Sequence, residues 1–260
     1  MSSRSQIALS RSESLSTFGL PIGLGIVLLV VWQAAVQITG IPKVILPAPT
    51  DIIKSFDGNI ALLAHHAWAT GSESVIAFLL AIVLGVAIAT LLHSSTLAFE
   101  ALYPEIVFFQ LIPKIALAPL FTFWLGFASP SRLAYSTFIS FFPVALATMT
   151  GFARADANAL LLCRSLTASR WQTFVHVQVP YSLPYFFSGT KIAATMAVIG
   201  IVVGEFISAK QGLGHYILYA GSRGETANIF AAMIVLCTIG LLMYAATAKA
   251  ERIMQAWWRG

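Results

Sequence analysis

The stretch "ESVIAFLLAIVLGVAIATLLH", residues 73–93, decides the fold class of this chain. It is apolar over nearly its whole length, and about 20 mostly apolar residues are enough to cross a bilayer as a helix. Five more stretches qualify or nearly qualify, at residues 18–39, 101–125, 132–151, 183–207 and 228–248. The sequence therefore predicts an all-α integral membrane protein with six transmembrane helices.

The composition supports this interpretation. The 260 residues are 58% hydrophobic and 10% charged, with a mean hydropathy of +0.84. Soluble domains carry about 25% charged residues, so this chain lacks the polar surface that solubility requires. The net charge is +5, but no run of Lys and Arg interleaved with aromatic residues occurs. We therefore expect membrane lipid, and no nucleic acid, as a partner.

The first 17 residues are rich in serine, and the apolar run that follows is longer than the roughly 7–15 residue core of a signal peptide. We interpret that run as an uncleaved first span; cleavage near "WQAAVQ", residues 32–37, is the alternative. With the N-terminus inside, eight Lys and Arg residues fall on the cytoplasmic side and five outside. This bias predicts that both termini are cytoplasmic. The predicted parts are a cytoplasmic N-terminal tail, a transmembrane domain with an internal loop, and a cytoplasmic C-terminal tail, at residues 1–17, 18–250 (loop 152–180) and 251–260.

Small residues recur at helical spacing in two of the spans. In the second span they are Ala77, Ala81, Gly85 and Ala89. In the fifth they are Gly189, Ala193, Ala197, Gly200 and Gly204. Such stripes let helix backbones approach closely, either within one bundle or against a second subunit.

The loop before the second span contains "IPKVILPAPTDIIKSF", residues 41–56. Pro47 and Pro49 interrupt regular structure, and Thr50 is a suitable N-cap for a short amphipathic helix. We expect that helix to lie on the outer membrane surface.

Motifs for covalent or nucleotide chemistry are absent from the sequence. It has no Gly-x-x-x-x-Gly-Lys-Ser/Thr loop, no His-Glu-x-x-His and no Gly-x-Ser-x-Gly. Cys163 and Cys237 lack metal-ligand spacing and are expected to be free thiols. We therefore predict no catalytic residue, no metal site and no bound cofactor, with a membrane enzyme as a minor alternative.

Residues 152–180 form the only long internal loop in this topology. "ADANALLLCRSL" (155–166) and "RWQTFVHVQV" (170–179) indicate two short helices, joined by a turn that ends at Ser169, a suitable N-cap. Pro180 is expected to stop the second helix. A loop built of helices predicts a docking site for a cytoplasmic partner; a pair of membrane-surface helices without a partner is the alternative.

This loop and several other stretches resemble the permease subunits of ATP-binding-cassette (ABC) importers, in the nitrate, sulfonate and taurine branch. Val177–Pro180 matches the end of the family's loop motif, and Thr167 takes the place of its glycine. Leu161, Leu162 and Cys163 take the place of Glu-Ala-Ala. The flanks "RSLTASRWQTF" and "LPYFFSGTKIA" are similar to those of the family, as are "ILPAPTDII", "PKIALAPLFTFWLGF" and "VVGEFISAKQGLGHYI".

The resemblance implies the type I ABC importer permease fold, with the loop acting as a coupling helix against an ATPase. The residues that it assigns to coupling are Leu161, Cys163, Arg164, Ser165, Leu166, Thr167, Ala168, Ser169, Arg170, Trp171, Phe174 and Pro180. Leu161 replaces the family's acid, so an ion pair from that position is lost. A β-branched Thr167 enters the left-handed conformation less readily than glycine, so we expect a different turn there.

The resemblance also implies the partners and the cellular location. Two permease copies, two cytoplasmic ATPase subunits and an extracytoplasmic binding protein would assemble in the bacterial inner membrane, with ATP and magnesium on the ATPase. The substrate would be a small solute, either an anion such as nitrate, a sulfonate or taurine, or a thiamine precursor, riboflavin or an aromatic acid. A secondary transporter or channel without an ATPase is the alternative.

Three residues are expected along the translocation path. Lys114 would lie about 16 Å below the outer end of its span, counted at 1.5 Å per residue of straight helix. A lysine so deep is costly unless it faces a cavity or a partner. Pro113 next to it predicts a kink. Glu205 closes the fifth span, and the resemblance places it near the outer gate. Snorkelling or pairing of Lys114, and an interfacial position of Glu205, are the alternatives.

Overall fold

A computed structural model describes residues 3–259, with side chains for residues 19–256. The start of the predicted N-terminal tail and the end of the predicted C-terminal tail lie outside these residues. Within them the chain is helical and has no strand. The helices are α1 Ser3–Thr39, α2 Pro49–Ser94, α3 Thr96–Leu111, α4 Ala118–Leu125, α5 Ser129–Ala153, α6 Ala157–Ser165, α7 Arg170–Thr173, α8 Val179–Ser208, α9 Leu213–Ser222 and α10 Thr226–Arg259.

The chain forms two compact units. One contains the chain up to Ile60 together with Ala220–Ala231, and the other contains Ala61–Tyr219 and the chain from Ala232 onward. In the first unit, the indole of Trp32 lies against Phe230, with 5.6 Å between ring centroids. Lys43 Nζ donates to Asp51 Oδ1 at 2.7 Å. The residues with the expected functions all belong to the second unit.

Among the described residues, five helices are long and apolar enough to cross a membrane, and one bent helix pair brings the number to six when it is counted as a single span. These helices include all six stretches that the sequence predicts. The prediction of a short surface helix beginning at Thr50 is wrong, because α2 runs unbroken over Pro49–Ser94. Pro49 is the first residue of this helix, where its fixed φ and missing N–H are tolerated. No proline follows within α2, so nothing interrupts it before Ser94.

The third span is broken rather than gently kinked. α3 ends at Leu111, a 3₁₀ turn occupies Lys114–Leu117, and the two arms meet at 96°. The break lies at Pro113, which lacks the N–H that would continue the helical ladder. A depth for Lys114 counted along a straight helix is therefore wrong.

The centre of the second unit is an antiparallel pair, α5 and α8, in backbone contact. A Cβ built on Gly189 would lie 2.5 Å from the Pro143 carbonyl oxygen, and one built on Gly200 would lie 2.7 Å from Ser136 Cα. Ser136 Oγ also donates to the Ala197 carbonyl at 2.8 Å. The small-residue stripe of the fifth span is thus used inside one chain.

The stripe of the second span is used in the same way. Ala77, Ala81 and Ala89 on α2 are fully buried, and a Cβ on Gly85 would lie 2.7 Å from Val144 Cβ. On the other side of α8, α10 contributes Met243 to a cluster with Ala194, Ala197 and Val198. Lys191 on α8 forms an ion pair with Glu251 on α10.

Candidate functional site

The loop after α5 is held by two N-caps. Asp156 Oδ1 accepts from the Asn158 and Ala159 N–H groups at 2.7 and 2.9 Å, which starts α6. Ser169 and Gln172 form a reciprocal capping box at the start of α7. The prediction of Ser169 as N-cap is confirmed. The two caps give the loop a defined shape.

The turn between α6 and α7 keeps the left-handed conformation despite its threonine. Thr167 has φ +54 and is the one non-glycine residue with positive φ among the described residues. The Ala168 N–H donates to the Cys163 carbonyl at 2.9 Å and the Thr167 N–H to the Arg164 carbonyl at 3.1 Å. These are the two bonds of a Schellman motif. The expectation of a different turn at Thr167 is therefore wrong.

Pro180 does not stop the second loop helix. A π-helical segment, Phe174–Gln178, joins α7 to α8, so that Arg170–Ser208 is one continuous span. A proline clashes with the carbonyl four residues earlier, here that of His176, and cannot donate to it. The wider π turn accommodates this, because the Val179 N–H reaches back to the Phe174 carbonyl.

Aromatic and polar contacts hold this segment against the ends of α2 and α5. Phe174 lies 5.2 Å from Phe152 and 5.9 Å from His93, between ring centroids. His93 Nε2 is hydrogen-bonded to Gln178 Oε1 at 2.8 Å. The sequence analysis missed His93, since nothing in the sequence indicates a contact with a residue 85 positions away.

The remaining coupling residues form an exposed, partly basic surface. Leu161, Leu162, Leu166 and Trp171 are large apolar residues that stay 59–71% exposed. A cleft of about 800 Å³ lies beside them, and its lining includes His93, Arg164, Arg170, Trp171 and Phe174. Ser165, Thr167 and Ser169 are exposed, whereas Cys163, Ala168, Phe174 and Pro180 are half-buried.

Lys114 lies in the 3₁₀ turn after the break in the third span. Its Nζ donates to the Gln110 carbonyl at 3.1 Å and lies 5.8 Å from the centroid of the Phe142 ring. Tyr135 Oη donates to the Lys114 carbonyl at 3.3 Å. Lys114 as a whole is half-buried and lies next to an exposed Pro113.

Glu205 is buried within the protein, at 2% exposure. It accepts from Thr70 Oγ1 and from the Gly214 N–H, both at 2.7 Å. A Cβ on Gly212 would lie 2.1 Å from Glu205 Oε1, so only glycine fits against the carboxylate. Its partners differ from those of Lys114, so the two expected path residues are held separately.

A buried ion pair lies on the same unit. Arg132 Nη2 donates to Glu73 Oε1 at 2.6 Å and its Nε donates to Glu73 Oε2 at 2.9 Å. This bidentate geometry is the strong form of an arginine–carboxylate pair. Among the residues that the structure describes, no cluster of three or more His, Cys, Asp or Glu residues is arranged to hold a metal ion.

Comparison with known proteins identifies the class. Residues 81–255 match the family "Binding-protein-dependent transport system inner membrane component". The chain is 33% identical over 233 residues to the formylaminopyrimidine transport permease protein of Halalkalibacterium halodurans, covering 89% of this chain and 93% of that protein. It is 34% identical over 241 residues to the riboflavin transport system permease protein of Chloroflexus aurantiacus, covering 92% and 90%.

The fold is also shared with a solved transporter. A chain of the MetNI methionine ABC transporter, in an inward-facing conformation, matches with a TM-score of 0.66 and 18% identity, covering 76% of this chain and 98% of that chain. The protein described here belongs to the binding-protein-dependent transport system inner-membrane components. It is a multi-pass permease of the ABC importer class.

Proposed function

We propose that this chain couples ATP hydrolysis by a separate ATPase to the uptake of a small solute. The exposed surface of the α6–α7 loop carries the proposal. Four large apolar side chains and two arginines stand uncovered there, on a loop that caps, a Schellman motif and aromatic contacts hold rigid. A rigid apolar patch edged by arginine is typical of a protein interface.

The path from this loop into the membrane is one helix. Arg170–Ser208 continues without interruption from the loop through α8. A displacement of the loop by a closing ATPase would therefore act directly on α8, and on α5, which touches it backbone to backbone. ATP and magnesium would be bound by the ATPase.

The proposed assembly contains two permease copies, two ATPase subunits at the α6–α7 loops and a binding protein on the opposite side. Closed two-fold symmetry is the commonest arrangement for such pairs. α3 has no buried residue within the single chain, which leaves an apolar face for a second copy or lipid. With both termini and the loop in the cytoplasm, the turn at Gly212 faces outward.

We propose a small organic solute, with a nitrogen heterocycle favoured. The two relatives at 33% and 34% identity are named for formylaminopyrimidine and riboflavin, both nitrogen heterocycles. A relative from Bacillus subtilis named for aliphatic sulfonates has 28% identity. The competing class is therefore small anions, for which two symmetry-related Lys114 ammonium groups would lower the barrier to crossing.

The docking proposal is tested by replacing one exposed tryptophan. Trp171→Ala should weaken association with the ATPase about thirtyfold, since a central interface tryptophan contributes about 2 kcal/mol or more. The measurement is the ATPase recovered with the tagged permease from membranes, titrated with added ATPase. Phe174 is unsuitable for this test because it packs against Phe152 and His93.

Trp68→Ala is the matched control. Trp68 is 78% exposed, against 71% for Trp171, and lies on α2 away from the loop. The Trp68→Ala variant should bind the ATPase as the wild type does. If Trp171→Ala and Arg170→Glu each recovered as much ATPase as the wild type, docking at this surface would be refuted. Uptake that needs no ATPase would instead identify a secondary transporter or channel.

A further inference from the structure

The turn between α8 and α9 is held by three side-chain acceptors. Three successive backbone N–H groups of this turn each donate to a different side chain. The bonds are Gly212 to His66 Nδ1 at 3.0 Å, Leu213 to Thr70 Oγ1 at 2.8 Å and Gly214 to Glu205 Oε2 at 2.7 Å. Because no backbone acceptor is used, the position of the turn depends on these three residues, which we call the acceptor cradle.

The members of the acceptor cradle support one another. The Thr70 hydroxyl donates a hydrogen bond to Glu205 Oε1 at 2.7 Å and accepts one from the Leu213 N–H. Thr70 and Glu205 are buried at 0% and 2% exposure, whereas His66 is half-buried at the rim. His66 is thus the member that protons from solution reach most easily.

His66 also differs from the other two in its chemistry. Its Nδ1 accepts a hydrogen bond from the Gly212 N–H, so the imidazole is neutral with its proton on Nε2. When Nδ1 is protonated, it becomes a donor that faces the Gly212 N–H, and the hydrogen bond is lost. Imidazole makes this change between about pH 5 and pH 8. The hydroxyl of Thr70 does not titrate.

Other titratable groups surround His66. His65 on α2 lies 5.7 Å away, and His215 and Tyr216 on α9 lie 6.5 and 5.3 Å away, between ring centroids. Glu205 of α8 belongs to the acceptor cradle, and on the same side Arg132 of α5 is paired with Glu73 of α2. His65 and His215 do not accept the Gly212 N–H, which donates to His66 Nδ1, so they serve as controls.

We propose that His66 is a positioning residue for transport whose protonation loosens the α8–α9 turn at Gly212. Neutral His66 keeps α9 fastened to α2 and α8; protonated His66 leaves Gly212 free while Leu213 and Gly214 stay bound. ATP-driven uptake should therefore fall as the pH is lowered on the side of the membrane that the α8–α9 turn faces. This consequence rests on the proposed importer function, whereas the loosening of the turn does not.

The first test measures uptake by the assembled importer in proteoliposomes from pH 8 to pH 5. His66→Asn offers an amide oxygen in place of Nδ1 and does not titrate. Dividing the uptake of this variant by that of the wild type cancels the pH dependence of the ATPase and the binding protein. The ratio should rise at least threefold between pH 7.5 and pH 5.5. His66→Phe should be impaired at every pH, and His65→Asn and His215→Asn should keep the wild-type profile.

The second test needs neither transport nor a variant. Residue-resolved hydrogen exchange of the full-length permease in detergent should show Gly212 losing protection relative to Gly214 as the pH falls from 7.5 to 5.5. The Gly214 amide, bound by Glu205, is the internal reference. If the ratio of the exchange protection of Gly212 to that of Gly214 stayed constant between pH 7.5 and pH 5.5, the proposal would be overturned. Parallel pH profiles of uptake for the wild type and His66→Asn would also overturn it. A shift in exchange without ATP-driven uptake would refute the importer function alone.

Discussion

Thr167 occupies a backbone conformation that β-branched residues seldom adopt. The left-handed region costs an ordinary residue about 1–2 kcal/mol relative to the right-handed one. Two Schellman hydrogen bonds and the capping box of Ser169 hold the chain on both sides of it. Because the neighbouring helices determine the turn, a residue of poor local propensity is accommodated. Local propensity alone therefore predicts this turn incorrectly.

In the proposed importer, Lys114 is the residue whose charge would act on the substrate. Its ammonium group has one carbonyl partner and one aromatic face, and it forms no ion pair with a carboxylate among the described side chains, residues 19–256. If the substrate is an anion, Lys114→Met should lower the initial rate of uptake about tenfold, which corresponds to about 1.4 kcal/mol. Uptake by vesicles containing the complete importer is the measurement, with ATP hydrolysis recorded in parallel.

Lys114→Arg keeps the charge and should retain most of the uptake. ATP hydrolysis by both assembled variants should remain near the wild-type rate. Equal uptake by the methionine variant and the wild type would make Lys114 structural. That result would exclude an anion that depends on this charge and favour the nitrogen heterocycles.

At the scale of helices, the contact between α5 and α8 sets the architecture. Gly189 and Gly200 on α8 face Pro143 and Ser136 on α5 at distances that leave no room for a Cβ. Backbones this close gain dispersion energy and allow the bond from Ser136 to the opposite helix. The pair is therefore expected to resist separation.

Gly200→Ala tests this contact. The added Cβ would meet the Ser136 Cα at 2.7 Å, and such overpacking costs about 1–3 kcal/mol. We expect the thermal midpoint of the protein in detergent to fall by several degrees. Gly240→Ala is the control, because Gly240 also lies inside a helix but has nothing within 4 Å of its Cβ position. A fall of equal size in both variants would contradict the prediction.

Long apolar runs predict the membrane helices because burial in lipid dominates at every position of a span. The ends of the helices depend on weaker, local effects, and the sequence analysis misplaced two of them. Pro49 starts α2 where an interruption was expected, and Pro180 lies inside a continuous helix because a π turn absorbs it. A proline in a sequence does not specify which of these outcomes applies.

The acceptor cradle shows why part of the site escaped prediction. Glu205 is conspicuous in the sequence as an acid at the end of an apolar span, and the structure places it in the acceptor cradle. Thr70 is 135 positions away, and His66 is 146 positions from its partner Gly212. A threonine and a histidine in a long helix have no local pattern that indicates such contacts.

For the whole molecule, orientation is the property open to a direct test. Cysteines placed singly at Gly58 or Gly221 should react with an impermeant maleimide in intact cells, and one at Asn158 should not. All three positions are exposed. The background needs Cys163→Ala and Cys237→Ala, since both cysteines are free thiols. Labelling at Asn158 from outside would reverse the topology.

Because α8 continues without a break from the α6–α7 loop, a tilt at one end of this helix displaces its other end. The 30 residues of α8 span about 45 Å at 1.5 Å per residue, so a tilt of about 5° at the α6–α7 end moves the other end about 4 Å. That displacement exceeds the length of any hydrogen bond in the acceptor cradle. Because α5 is in close backbone contact with α8, the two helices would move together. If the proposed ATPase docks at the α6–α7 end, a small tilt there would therefore be large enough to break the hydrogen bond between Gly212 and His66.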